Sequence, residues 1–328
     1  MTVLVTGAGG FLGGHLCRKL RFEGRSVRGY DLHYPGGAHE DDVTGSILDP
    51  EALSMAFAGV TGVIHAAAIA QLWTPGRFDY DRVNGVGTCR VLVETRRADI
   101  PFVMVSSYTT LVGADAADGA VLDETVEIVP NRLCGRYPRS KRQAELFVQA
   151  AAGTGMRACI VMPSAPVGIG DHNLTPPSGM IRDLALGRIP ALMDCHLDLV
   201  DVEAVADATI AALEQGKPGQ RYLLSGEAIS LPGLAEKVSA ISGKSAPAAR
   251  VPIWVALAAA RAEALISRLT KKPPKAPLTG VRLAAHRVTF SSERAREELG
   301  FAPRPLEQIL PEAVAWLTAQ EDGCSDQG

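Results

Sequence analysis

Thr2-Val3-Leu4-Val5-Thr6-Gly7-Ala8-Gly9-Gly10-Phe11-Leu12-Gly13 stands at the head of this chain. Thr2 to Val5 is short, apolar and β-branched, the pattern of a strand buried on both faces of a parallel sheet. Glycines follow at once, and after them the apolar residues recur at helical spacing. Strand, glycine turn and helix in that order are the context a dinucleotide-binding fingerprint needs. Gly7 permits the tight turn, Gly10 lets backbone approach a pyrophosphate, and Gly13 lets helix and strand pack closely. Phe11 and Leu12 complete the stretch that faces such a cofactor. The helix start offers free N–H groups and the positive end of its dipole to the phosphates.

Ser26-Val27-Arg28-Gly29-Tyr30-Asp31 reads as the second strand, ending in a carboxylate. Asp31 lies about 20 residues past the glycines, where an acid accepts hydrogen bonds from an adenosine ribose. The same acid repels a 2′-phosphate and so favours NAD over NADP. Arg28 and His33 close by work against that preference.

With 328 residues and 47% hydrophobic content, the chain can build one two-lobed unit or two small domains around a large core. A net charge of −3 gives no reason to expect nucleic acid or an anionic membrane as partner. The six cysteines are scattered with no C-x-x-C pair, and read as reduced, mostly buried residues of a cytoplasmic protein. The N-terminus enters the first strand directly, so no secretory signal is expected. The seven histidines show no metal-ligand spacing with Cys or Asp, so no metal is expected.

Strand and helix patterns alternate through the first half, which predicts an α/β fold with a doubly wound parallel sheet. Residues 60–65 read as a strand ending in Ala66-Ala67-Ala68, small residues against which a cofactor can lie. Residues 80–98 read as a helix carrying Asn84. Residues 102–107 read as a buried strand delivering Ser106 and Ser107 at its carboxyl end, the edge where open α/β sheets bind ligands. A helix over 137–151 and a strand over 158–162 follow. Residues 163–177 are rich in Pro and Gly and read as a shaped loop over a pocket.

Residues 197–202 and 221–224 read as short returns to the sheet. From about 230 the chain reads mostly helical, broken by the linker Lys271-Lys272-Pro273-Pro274-Lys275. The domain reading is therefore a dinucleotide-binding Rossmann domain at 1–163 plus about 197–226, and a smaller, mostly helical substrate-binding lobe at 164–196 plus 227–318. A disordered tail is expected at 319–328. Residues 253–269 are too short and too charged to span a bilayer. They read as a helix of the lobe, with contact to a membrane surface as the open alternative.

Tyr137 and Lys141 stand four apart and so share a helix face. A free phenol titrates at about 10, and a neighbouring ammonium is expected to lower that value. Tyr137 can then act as general acid toward a carbonyl oxygen or as base toward an alcohol. Ser107 can hydrogen-bond the same oxygen. Such a pair alone is commonplace on helix surfaces; the glycine loop and the serine-ended strand give it chemical meaning. His65 reads as a structural strand-end residue rather than a base.

Taken together, Thr6-Gly7-x-x-Gly10-x-x-Gly13, Asp31, His65-Ala66-Ala67-Ala68, Val83-Asn84, Ser106-Ser107, Tyr137-x-x-x-Lys141 and Leu199-Val200-Asp201-Val202 resemble the extended short-chain dehydrogenase/reductases over nearly the whole chain. The resemblance implies that Ser107, Tyr137 and Lys141 form the catalytic set, with Asn84 in support. It places Ile47 and Ala66, Ala67 and Ala68 against the cofactor, and Pro163-Ser164 beside the nicotinamide. Met162-Pro163-Ser164-Ala165-Pro166-Val167-Gly168, Gly170-Asp171-His172-Asn173 and the residues around Tyr137 are similar to one branch of that superfamily. That branch holds the 3β-hydroxysteroid dehydrogenases, dihydroflavonol reductases and hopanoid-associated epimerase-like proteins.

There are departures. Ser46, before Ile47, stands where many relatives hold an acid for the adenine. A one-residue slip against the sugar epimerases would put Tyr108 at the serine position; Ser107 is preferred because it continues the strand from Val105 without a gap. Relatives often dimerise through the helices matching those of Asn84 and Tyr137, which implies a homodimer.

The first functional reading is an NAD(P)-dependent oxidoreductase that interconverts a secondary alcohol and a ketone on a bulky apolar, sterol-like substrate. On a sterol 4-carboxylate, oxidation at C3 would lead to loss of CO2, with Arg182 or Arg188 meeting the carboxylate. The second is a nucleotide-sugar epimerase or dehydratase with tightly bound NAD, whose diphosphate substrate needs fixed cations. The lid at 165–191 offers Arg182 and Arg188 but is mostly apolar, which favours the first. A dihydroflavonol- or aldehyde-reductase-like enzyme is a further alternative. A cofactor-sensing binding protein would be expected to lose Tyr or Lys of the pair, and both are present.

Overall fold

The computed structural model describes residues 2–76 and 79–325, with side chains through 320. The first half runs β1 (Thr2–Thr6), α1 (Phe11–Phe22), β2 (Ser26–Asp31), the two-residue β3 (Val43–Thr44), α2 (Pro50–Ala56) and β4 (Val60–His65). A π-helical turn at Asp81–Gly87 leads into α3 (Thr88–Ala98). Then come β5 (Phe102–Val105), a 3-10 turn at Tyr108–Leu111, β6 (Val121–Leu122), α4 (Arg136–Gly153) and β7 (Ala158–Pro163). The second half runs β8 (Ala165–Val167), α5 (Pro176–Ala185), β9 (Ala191–Met193), β10 (His196–Asp201), α6 (Val202–Gln215) and β11 (Arg221–Leu224). It continues through β12 (Glu227–Ser230), α7 (Leu231–Ser242), β13 (Ala249–Val251) and α8 (Ile253–Thr270). The last elements are α9 (Leu278–Ala285), β14 (Thr289–Phe290), α10 (Glu293–Leu299) and α11 (Leu306–Ser325).

Seven parallel strands form one sheet in the order β11-β7-β5-β4-β1-β2-β3. The winding reverses between β1 and β4, the switch point at which such sheets bind ligands. Every residue of β5 and β7 is buried, because helices cover both faces. On one face Leu16 and Leu20 of α1 and Val205 of α6 pack with Val5, Val103 and Val161. On the other, Leu53 of α2, Val91 of α3 and Val148 of α4 pack with Leu4, Val63 and Met104. This is the doubly wound Rossmann sheet that the alternating pattern predicts.

Arg221–Leu224 rejoins that sheet beside β7. Residues 197–202 do not. β10 pairs in parallel with β8 and antiparallel with β12, in a separate three-stranded sheet. The physical reason lies in what its apolar residues meet: Leu199 is buried with Val167, Ile181, Ile229 and Leu234, in a core distinct from the two that flank the large sheet. Asp201 then caps α6, its side chain accepting the Glu203 N–H, and α6 returns to pack against α1.

The final helix closes this third core with Leu306, Ile309, Leu310, Val314 and Leu317. It is helical to Ser325, past position 319 where the sequence suggested a disordered tail. Residues 326–328 lie outside the described residues. The 253–269 segment is helical within α8, which packs on α9, and among the described residues no helix is long and apolar enough to cross a membrane. The cysteines at 17, 89, 134, 159 and 195 are free.

Candidate active site

A cavity of about 830 Å³ opens at the carboxyl ends of the strands and extends beneath the lobe. Gly7, Gly10, Phe11, Leu12, Gly13, Asp31, Ile47, Ala66, Ala67, Ala68, Ser107, Tyr137, Lys141, Pro163 and Ser164 all line it. Asn84, expected in support of the site, does not line it.

The glycine cradle depends on having no side chains. A Cβ on Gly7, which sits at φ +77°, would lie 2.6 Å from the Ala67 nitrogen; one on Gly13 would lie 1.9 Å from the Gly7 carbonyl oxygen. Gly9 is equally constrained, though the spacing argument passes over it. Its Cβ would lie 1.9 Å from the His33 oxygen, and its N–H donates to Asp31 Oδ2 at 3.0 Å. Its place inside the fingerprint was the available signal. Gly10 caps α1 with no side-chain hydrogen bond, leaving first-turn N–H groups for an anion. The cradle and this helix start fit a dinucleotide pyrophosphate.

Asp31 Oδ1 accepts the Leu32 N–H at 2.6 Å. A carboxylate oxygen has two lone pairs, so both oxygens of Asp31 keep capacity for ligand hydroxyls. Arg28 is spent elsewhere: its guanidinium donates to the carbonyls of Ala56 and Ala58 at 2.8 and 2.6 Å. It is not among the residues lining the cavity.

Tyr137, Lys141 and Ser107 are all buried, with 8%, 4% and 7% exposure. Lys141 Nζ donates to the Val105 carbonyl at 2.6 Å. Asn84 braces this corner from behind. Its Oδ1 accepts the Ile69 N–H at 2.8 Å, and its Nδ2 donates to Ser140 Oγ at 2.9 Å. Ser140 Oγ in turn donates to the Tyr137 carbonyl at 2.8 Å. The π-helical turn that carries Asn84 ends at Gly87, where a Cβ would lie 2.4 Å from Ile47.

The electrostatics depart from the simple pair. Burial is the largest influence on Tyr137 and holds its phenol above the ordinary value, with the Ser107 hydroxyl pulling it down and the Glu145 carboxylate pushing it up. Burial also pushes the Lys141 ammonium down to about 8, opposed by Glu145. Burial therefore sets the direction for both groups, and Tyr137 is raised where the sequence predicts a lowering by Lys141. His65 bonds Thr6 Oγ1 at 2.7 Å and Thr88 Oγ1 at 2.9 Å, and burial lowers it to about 3. It is a neutral structural residue.

Three further groups stand at the site. Glu145, fully buried, accepts hydrogen bonds from the Ser106 and Thr110 hydroxyls on either side of Ser107. Tyr108 packs edge-on to Phe290 with ring centroids 5.2 Å apart. Asp198 lines the cavity, raised by burial although its Oδ1 accepts the Gly226 N–H at 2.8 Å. Neither Arg182 nor Arg188 lines the cavity, and Arg182 bonds Asp183 at 2.9 Å. Among the described residues, His39, Glu40 and Asp41 are the one group placing three potential metal ligands together, and all are exposed.

Residues 3–225 match the NAD dependent epimerase/dehydratase family. A Synechocystis protein provisionally named dihydroflavonol 4-reductase is 32% identical, over 95% of this chain and 93% of that one. Sterol demethylase protein B of Methylococcus capsulatus is 28% identical, over 97% and 98%. The crystal structure of gox2253 superposes with a TM-score of 0.83 at 32% identity, over 97% of this chain and 98% of that one. This chain thus belongs to the NAD dependent epimerase/dehydratase family, the extended short-chain dehydrogenase/reductases, and is an NAD(P)-dependent oxidoreductase enzyme.

Proposed function

We propose that the enzyme interconverts a secondary alcohol and a ketone on a bulky apolar substrate, using NAD in preference to NADP. The observation that carries this reading is the lining of the cavity. Among its described lining residues Lys141 is the single Lys or Arg, while the lobe contributes Met180, Met193, Leu231, Leu283, Val288 and Phe290. A nucleotide diphosphate needs fixed cations, and an apolar polycycle needs such a wall. The names of the relatives, a sterol demethylase protein and a dihydroflavonol reductase, support the same substrate class.

In the reductive direction Tyr137 donates its proton to the substrate oxygen while Ser107 hydrogen-bonds that oxygen. Lys141, anchored on the Val105 carbonyl, stabilises the phenolate left behind. Asn84 and Ser140 hold the turn of α4 that presents Tyr137. Bound nicotinamide supplies or accepts the hydride. Asp31 supports NAD, since its carboxylate repels a 2′-phosphate and Arg28 is turned to backbone carbonyls. The Ser107 effect on the Tyr137 phenol supports Ser107 over Tyr108 as the third member.

Turnover of sterol ketones and alcohols with NADH and NAD tests the reading, beside UDP-sugars as the competing class. Tyr137→Phe should keep NAD binding and lose turnover. Epimerisation of a UDP-sugar with NAD that survives dialysis would overturn it. We also propose a homodimer through α3 and α4, whose neighbourhood exposes Val86, Val93 and Leu146 at 47%, 49% and 41%. A monomeric mass in light scattering would refute that.

A further inference from the structure

We propose that the outer face of α8, with the lysines that follow it, docks on an anionic lipid bilayer and brings the cavity to the membrane surface. Trp254, Ala258, Ala262, Leu265 and Leu269 recur at intervals of four, four, three and four, and so form one stripe along the helix. All five are exposed, with Trp254 at 73%, Leu265 at 61% and Leu269 at 79%. The opposite face, marked by buried Ala260 and Ser267, packs on α9. The helix is thus amphipathic in an inverted sense, with apolar side chains turned away from the protein.

The charge around the stripe selects its occupant. Arg261 and Arg268 flank it, and Lys271, Lys272 and Lys275 follow the helix; all are exposed. Over residues 250–287 there are eight Lys and Arg against one acid, Glu263, in a chain whose net charge is −3. The only local acid is engaged, since Glu263 Oε2 accepts the Ala276 N–H at 3.2 Å. An apolar stripe bordered by cations is the pattern of a helix lying in the interface of an anionic membrane. A second copy of the chain is disfavoured, because a two-fold contact would set these cations against their own counterparts. The whole-chain charge, which argues against an anionic surface, averages away this segregation.

The placement gives the contact a use. α9, directly beneath α8, lines the cavity with Gly280, Val281, Leu283 and Ala284. α9 alone therefore stands between α8 and the apolar wall, and a water-insoluble substrate has a short path between bilayer and cavity. This last clause rests on the apolar-substrate reading; the docking itself does not.

Sedimentation of the full-length protein with vesicles, without substrate, separates the two. Vesicles of phosphatidylglycerol and phosphatidylcholine should carry the protein down, and pure phosphatidylcholine should carry about tenfold less. High salt should release it. The double variant Leu265→Glu, Leu269→Glu and the pair Lys271→Glu, Lys272→Glu should each lose binding with unchanged melting temperature. Trp254 emission should shift to the blue on binding, a shift missing in Trp254→Phe. Equal sedimentation of the wild type and both variants would overturn the docking surface. So would a wild-type oligomer that the Leu265→Glu, Leu269→Glu variant dissociates, which would assign the stripe to a second copy. Vesicle binding by an enzyme that turns over only UDP-sugars would leave docking intact and sink the delivery role.

Discussion

Lys141 Nζ and the carbonyl of Val105 meet at 2.6 Å, so the helix bearing Tyr137 is pinned to the end of the strand that leads to Ser107. The contact also removes the ammonium from water, and burial pushes it down to about 8 from 10.5. Carbonyl reduction needs Tyr137 protonated and Lys141 charged. Its kcat/KM should be level at neutral pH and fall as pH rises through about 8. Stability should move the other way. The unfolded lysine titrates at 10.5, so the cost of burying its charge is full below about 8 and fades between there and 10.5. A pH–rate profile still flat at pH 10, beyond the Lys141 value of about 8, would remove Lys141 from the chemistry.

Glu145 ties the same two elements together from below. Its Oε1 accepts the Thr110 hydroxyl at 2.8 Å, and its Oε2 accepts Arg142 at 2.9 Å and Arg221 at 3.4 Å. Glu145→Gln removes a buried charge from two buried guanidinium groups. The loss should be about 3–5 kcal/mol, read as a lower urea midpoint. With Ser106 and Thr110 held by a neutral, weaker acceptor, kcat should fall more than KM rises. An unchanged midpoint would show the network to be dispensable.

Asp31→Ala should erode the preference for NADH. Removing the acid takes away both the ribose acceptor and the repulsion of a 2′-phosphate. The ratio of the two dissociation constants, measured by fluorescence titration, should shift by about tenfold, equivalent to about 1.4 kcal/mol. An unaltered ratio would place the discrimination elsewhere.

Gly13→Ala forces a methyl to within 1.9 Å of the Gly7 oxygen. The clash is with backbone, so α1 must move away from β1. Overpacking of this kind costs about 1–3 kcal/mol, and NAD affinity should drop with it. Calorimetry of the variant that gave wild-type NAD affinity would contradict the cradle.

The glycine loop and the Tyr137 and Lys141 pair were legible because they are local. A tight turn and a helix face are set by residues within a few positions of one another. Sheet membership of β10 was not legible, since its apolar pattern suits either sheet and its partners lie about 30 residues away on both sides. Nor was the raised Tyr137. Spacing reveals which groups neighbour each other on a helix, whereas burial decides which influence is larger. Arg182 shows the same limit: its position in the lid suggested a cation for the substrate, and the adjacent Asp183 takes it.

The third core bears on the order of synthesis. Its wall from Val167 to Leu234 is translated before Leu306 to Leu317. A nascent chain can therefore complete the strands of the dinucleotide-binding sheet, the last of which ends at Leu224, while the lobe still lacks its closing helix. Until those residues emerge, the apolar wall of the lobe stands open.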